Sequence, residues 1–364
     1  MVGTLWTLEQ ILAFAFGFLV VVFILMSAIR TFVLPRSDNV FLTRLVFQSI
    51  FFLFQFRLRW GHYSYQIQDR VMAFFAPIAL LITPVVWVAG AMIGYTFMFW
   101  GLGVPTWYDA LWLSGSSLLT LGFAPVENLS QMLLAFTEAT IGLGLVALLI
   151  AYLPTMYTSF SSREAMVTML EVRAGSPPSA VTMIERFNRI HNLEHLRDLW
   201  IAWEVWFTQL EESHTTFIPL VFFRSSRPDL SWITAAGAVL DAAALASSTL
   251  DIAHEPRADL CLRAGYLALR SIAGFFDVPY NPNPTPDDPI SITRQEFDAV
   301  CDRLDSQGVP LKRDRDQAWQ DFAGWRVNYD PVLLALASLL MAPYAPWSSD
   351  RGPLFRPKLF RKRH

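Results

Sequence analysis

Three long stretches without charge decide most of what this chain can be. Residues 11–29 (ILAFAFGFLVVVFILMSAI) hold no charged residue, Val71 to Tyr108 hold none, and from Asn128 to Ser162 the one charge is Glu138. A bilayer core takes about 20 apolar residues of helix per crossing. Each stretch is long enough, so the sequence predicts three transmembrane helices. With 54% hydrophobic and only 16% charged residues, the chain is too apolar for an ordinary soluble protein.

The arginines orient these spans. No Lys or Arg precedes Arg30 and none lies between residues 71 and 162, whereas Arg30, Arg36, Arg44, Arg57, Arg59 and Arg70 sit between the first two spans. Positive residues favour the cytoplasmic side. The expected protein is multi-pass in the cell membrane and in contact with lipid. Its first span is residues 1–33 with the N-terminus outside, residues 34–70 are a cytoplasmic connection, the 98–127 segment is outside, and everything after Arg163 is inside. The apolar run at 45–56 (LVFQSIFFLFQF) covers only about 12 residues, is broken by Gln48 and Gln55, and is edged by Arg44, Arg57 and Arg59. That favours an amphipathic helix lying on the inner surface over a fourth span. The positive residues follow the first apolar run, the wrong order for a cleaved signal peptide. That run also lacks the regularly spaced arginines of a voltage sensor.

Beyond Arg163 the composition changes to that of a water-facing domain, residues 161–364, expected to be all-α. Acidic residues slightly outnumber basic ones there, which offers no field for nucleic acid. Ser176-Pro177 looks like a helix start. Residues 193–213, 232–252, 256–276 and 314–341 read as helices, and 278–290 (VPYNPNPTPDDPI) as a proline-rich loop. The chain ends in a basic tail, RKRH. Cys261 and Cys301 lack metal-type spacing and are expected to be reduced and structural. Trp200, Trp203 and Trp206 share one helical face and are read as core or subunit interface.

The stretch between the second and third spans is irregular. Thr106-Trp107-Tyr108-Asp109 matches a capping box. It opens a helix at 107–118 that is too short to cross, and Thr120-Leu121-Gly122-Phe123-Ala124-Pro125 leads back outward. Such a chain dips into the membrane and returns on the same side, and non-helical backbone at that depth survives only beside water or buried in protein. A short helix followed by an extended strip whose carbonyls replace an ion's hydration shell is the layout of a selectivity filter. Residues 71–160 resemble the pore-loop potassium channel superfamily in its two-span form, with one extra N-terminal span. TLGFA stands where the family carries TVGYG.

The resemblance implies an outer helix at 71–98, a pore helix at 107–118, a filter at 120–124 and an inner helix at 128–159, repeated in a homotetramer. Potassium is then the permeant ligand and no cofactor is implied. Thr120, Leu121, Gly122 and Phe123 supply ion ligands, and Ala124 replaces the final glycine. If that position needs positive φ, alanine costs about 1–2 kcal/mol there. Pro125 occupies the usual aspartate position, so Glu127 is the candidate mouth charge. Gly142, Gly144 and Pro154 are candidate gating hinges, with close helix packing the alternative for the glycines. Glu138 is expected either to support the filter through Ser116, Ser117 or Trp112, or to face the cavity. Asp109 sits at the pore-helix start.

One signal competes. His191-Asn192-Leu193-Glu194-His195 matches H-x-x-E-H, which on a helix puts two histidines on one face as zinc requires. A third ligand such as Glu255 would have to come from afar. Neither G-x-G-x-x-G nor a P-loop is present. The sequence therefore points to a non-enzymatic, tetrameric, potassium-conducting channel, regulated by an unidentified cytoplasmic ligand or protein. The alternatives are a weakly selective cation channel, a membrane-anchored metal-dependent hydrolase, or a non-conducting scaffold.

Overall fold

The computed structural model describes residues 7–32, 41–59, 64–190 and 193–353. Among them the fold is helical throughout, its one β feature being an isolated bridge between Leu250 and Leu311. Four helices are long and apolar enough to cross a membrane, within Leu8–Thr31, Phe41–Leu58, Tyr65–Gly101 and Leu129–Ala174. The chain forms two units: residues 1–53 with 77–157, and residues 54–76 with 158–364.

In the first unit, α1 (Leu8–Phe32) runs antiparallel to α4 (Phe75–Gly101). Glycines set that contact. A Cβ at Gly17 would strike the Gly94 carbonyl, one at Gly90 would strike Ile24, and one at Gly101 would strike Phe14. Small residues let backbones approach where lipid offers no hydrophobic drive to association. Trp87 is fully buried, and its indole donates to Ser27 Oγ at 3.2 Å. The N-terminal helix is thus packed into the unit along its length. The short α5 (Trp107–Leu118) and the long α6 (Leu129–Ala174) complete the set. Pro154 stands inside α6, which continues well past the expected end at residue 159.

The helix α2 (Phe41–Arg59) has 19 residues, longer than its apolar run suggested. Val46, Phe47, Ile50 and Phe51 form its buried stripe, while Leu45, Phe52, Leu53 and Phe56 are exposed. Its start is tied to the end of α1, Thr43 Oγ1 lying 2.8 Å from Thr31 Oγ1.

The second unit is built around α9 (Trp232–Thr249), an alanine-rich helix buried on nearly every side. A helix that is apolar all round belongs in an interior. Packed on it are α7 (Ala180–Arg189), α10 (Pro256–Gly274), α12 (Arg315–Arg326) and α13 (Asp330–Leu339), with α8 (Leu196–Thr216) against α10. Trp200, Trp203 and Trp206 are all buried, so their stripe is core. Cys261 and Cys301 are buried and unpaired, and burial pushes the Cys301 thiol up to about 11. Arg326 is fully buried between Asp241 and Asp330, with Tyr329 donating to Asp241 at 2.8 Å. The short α3 (Tyr65–Ala73) also belongs to this unit: Asp69 pairs with Arg224, which donates to the Leu340 carbonyl at 2.6 Å.

Three expectations need correction. Ser176-Pro177 lies in a turn, and α7 starts at Ala180 because Ser179 accepts from the Thr182 amide. The single helix expected over 314–341 is two, broken at residues 327–329. An unexpected α11 (Arg294–Ser306) opens on a complete capping box of Thr293 and Glu296. The 278–290 stretch is loop, and the basic tail lies outside the described residues.

Candidate functional site

The α5 helix begins where Thr106 Oγ1 accepts from the Asp109 amide at 3.0 Å. Asp109 does not complete a reciprocal box. Its carboxylate takes the Thr106 hydroxyl at 2.7 Å instead, and it stays exposed. The inward face of the helix is fixed by Ser114, whose Oγ lies 2.5 Å from Glu138 Oε1 and 3.0 Å from the Met92 carbonyl. Glu138 is fully buried, so in this chain it faces α5 and not a cavity, and its partner is Ser114 in place of Ser116, Ser117 or Trp112. The far end of α5 rests on Gly142, where a Cβ would run into the Leu118 carbonyl. Gly144 has open space around it.

The strip after α5 is organised by one side chain. Ser116, 2% exposed, gathers four consecutive amides. Its carbonyl accepts from Leu121 at 2.8 Å and Gly122 at 3.3 Å. Its Oγ accepts from Phe123 and Ala124, each at 3.0 Å. These peptides are trans, since the one cis bond among the described residues is Ser176-Pro177. In a planar trans peptide the C=O points opposite to the following N–H. Turning the amides of 121–124 onto Ser116 therefore turns the carbonyls of Thr120, Leu121, Gly122 and Phe123 away from α5. Among the described residues none of those four oxygens accepts a hydrogen bond.

Keeping successive amides on one side requires alternating backbone hand. Thr120 has φ +56° and Gly122 φ +70°. Glycine takes that conformation freely, whereas threonine is strained there. Ala124 is not among the residues with positive φ, so the strain expected of it is absent and Thr120 bears strain instead. Phe123 packs edge-on against Trp112 at 4.9 Å. Glu127 is exposed, and its amide is held by Gln131 at 3.0 Å while Asn128 caps α6 by accepting from Gln131 at 2.9 Å.

Sequence reasoning missed Ser116 as the hub of this site. The signal was available: a serine in the last turn of a short helix bonds nearby backbone readily, and the next free amides are those of the strip.

Of the H-x-x-E-H stretch, the described residues are 193–195. The α7 helix ends at Arg189, Glu194 and His195 lie in a 3-10 turn, and α8 starts at Leu196. His191 lies outside the described residues. Glu255 is occupied in capping α10 through the Arg257 amide at 3.1 Å. Among the described residues no group of three or more His, Cys, Asp or Glu could hold a metal ion. Comparison of the chain with family models, with curated proteins and with solved structures gives no match.

Proposed function

We propose that four copies of this chain form a cation channel in the cell membrane, conducting potassium along the 120–124 strips, with residues after Arg163 in the cytoplasm. The observation that carries this reading is the run of four carbonyls, at Thr120 to Phe123, turned away from α5 and, among the described residues, without a hydrogen-bond partner. Inside a membrane such oxygens need water or an ion, and rings of them replace an ion's hydration shell. One strip makes one wall, hence the tetramer. Glu138 and Ser114 hold the pore helix, and Glu127 contributes charge at the mouth.

The ties of α2 favour three spans. It starts beside Thr31 at the C-terminal end of α1, and its Phe54 packs on Phe75 at the N-terminal end of α4, with ring centroids 6.0 Å apart. In the antiparallel α1–α4 pair both ends belong to the inner side, so α2 does not cross back.

A second reading, a weakly selective channel, draws on residue 125. A carbonyl is aimed by the next residue's N–H, and proline has none. The Ala124 carbonyl is therefore not aimed by Ser116, which leaves four fixed rings and a looser fifth.

The test is cation flux from the purified tetramer in liposomes. Potassium flux exceeding sodium flux and indifferent to a metal chelator is expected. Equal fluxes select the second reading, and no flux from an intact tetramer overturns both.

A further inference from the structure

We infer that the second unit holds a binding site for a single-chain amphipathic anion of the fatty-acid type, set against the last turns of α6. A groove of about 720 Å³ opens between the end of α6, α7 and the start of α8. That volume suits one small molecule, since ligand sites run about 300–1,000 Å³. Its walls include Met166, Met169, Phe187, Leu199 and Trp203. Methionines adapt to a flexible chain.

The polar groups of the groove narrow the ligand further. Among the described residues no Ser, Thr, Asn, Gln or Tyr lines it, so those walls offer none of the hydroxyls and side-chain amides that read sugars or bases. Among its described lining residues the charge comes from Arg173, Arg186 and Arg189, with the His195 imidazole also present, against the carboxylate of Asp198. Arg173 donates to the Met169 carbonyl at 3.1 Å, and Arg186 to those of Glu171 and Val172 at 3.0 and 2.6 Å. Among the described residues none of the three arginines is paired with a carboxylate. An apolar trough with three guanidinium groups that no carboxylate pairs complements an apolar tail with one anionic head, because guanidinium binds carboxylate by charge-assisted, bidentate hydrogen bonds. Val172 and Ile190, 77% and 64% exposed, are the apolar surface such a tail would cover.

Bound there, the ligand touches α6 directly and biases opening by its differential affinity for the two states. That consequence rests on the channel reading; the binding does not.

The experiment uses the full-length protein in liposomes, with diazirine-bearing hexadecanoate and the matching diazirine-bearing hexadecanol as probes. Labelled peptides are mapped by mass spectrometry. The acid is expected to label residues 166–173, 186–190 and 195–203, and the alcohol on the order of tenfold less, since a hydrogen bond to a charged group exceeds the energy of a tenfold change. Arg173→Gln with Arg189→Gln should lower acid labelling similarly, and Ala202→Trp should block the groove, while labelling of the spans stays unchanged as the folding control. Equal labelling by the alcohol, insensitivity to the arginine pair, or labelling confined to the spans overturns the site. So does efficient crosslinking between subunits of a Met169→Cys, Ile190→Cys variant, which would mean a second copy fills the groove. Flux is measured in parallel: lost labelling with flux intact removes only this site, and labelling without flux removes only the channel.

Discussion

Replacing Ser116 with alanine tests the strip at its hub. The substitution removes Oγ, the acceptor of the Phe123 and Ala124 amides at 3.0 Å each, and keeps the carbonyl that holds Leu121 and Gly122. Each lost bond contributes about 0.5–1.5 kcal/mol net, and more where a buried amide is left unsatisfied. Together they come to about 2 kcal/mol, roughly a thirtyfold shift toward strips with a loosened outer half. The damage is directional. The Gly122 and Phe123 carbonyls lose their aim, while those of Thr120 and Leu121 keep theirs. Potassium flux should persist with reduced discrimination against sodium, read as a reversal potential moving toward that of an unselective pore. Ser116→Thr, which retains the acceptor, should fall between the two. A tetrameric Ser116→Ala protein with undiminished selectivity would show that Ser116 does not aim the ion-facing carbonyls.

Gly122→Ala should abolish conduction without disturbing assembly. Nothing lies within 4 Å of the added Cβ, so the cost is purely the left-handed backbone, about 1–2 kcal/mol per subunit; normal flux from that tetramer removes the strip from the ion path. Ala124→Gly should leave the potassium–sodium reversal potential unchanged, because Ala124 holds no left-handed strain to relieve; a clear gain in selectivity refutes this. Single cysteines at Thr7 and Gly308, in a chain with Cys261 and Cys301 replaced, should react with an impermeant maleimide from opposite sides of the membrane; reaction from the same side makes α2 a fourth span. Burial and the nearby Arg163 guanidinium hold the His214 imidazole well below its ordinary value of about 6.5. Above that pH neither state takes up a proton, and below it the unfolded chain does and the folded one does not. Stability should therefore fall by about 1.4 kcal/mol per pH unit on acidification, with a shallower slope in His214→Gln; identical melting temperatures of the two proteins across that range would refute the assignment.

The long apolar helices were legible because an uncharged run of about 20 residues is displayed directly by a sequence, although α2 is also long and apolar enough to cross where a shorter surface helix was expected. The short α5 was legible for a similar reason, Thr106 marking its start and Leu118 its end. Conformation within the strip was not. Residue type pointed to Ala124 as the strained position, yet the hand of each residue follows from which amides Ser116 captures, and that places the strain on Thr120. Partner choice among the apolar helices was equally hidden. Glu138 announced itself as a buried acid, but Ser114 and Ser116 differ by two residues on one helix, and only the rotation of α5 against α6 decides which meets it. In the second unit α11 was missed because its apolar residues are few, and its capping box was the signal to weigh.

The three candidate hinge residues of α6 are not equivalent in the proposed channel. Gly142 is the seat of the Leu118 carbonyl, so a bend there lifts the end of α5 and with it the strip that Ser116 organises. Farther along, Arg163 fixes the same helix. Its guanidinium donates to the Leu220 and Phe223 carbonyls at 2.9 and 2.7 Å and lies 3.0 Å from His214 Nε2, while its own carbonyl accepts from Trp206 at 3.3 Å. Between these two holds, Gly144 is free of close neighbours and Pro154 interrupts the ladder. A proline lacks the N–H that would bond four residues back, and sharp bends in helices gather at such breaks. A bend at Pro154 leaves both holds intact and moves the cytoplasmic end of α6 relative to the filter. In the proposed channel the broken ladder at Pro154 favours it as the hinge over Gly142, whose backbone seats the end of α5.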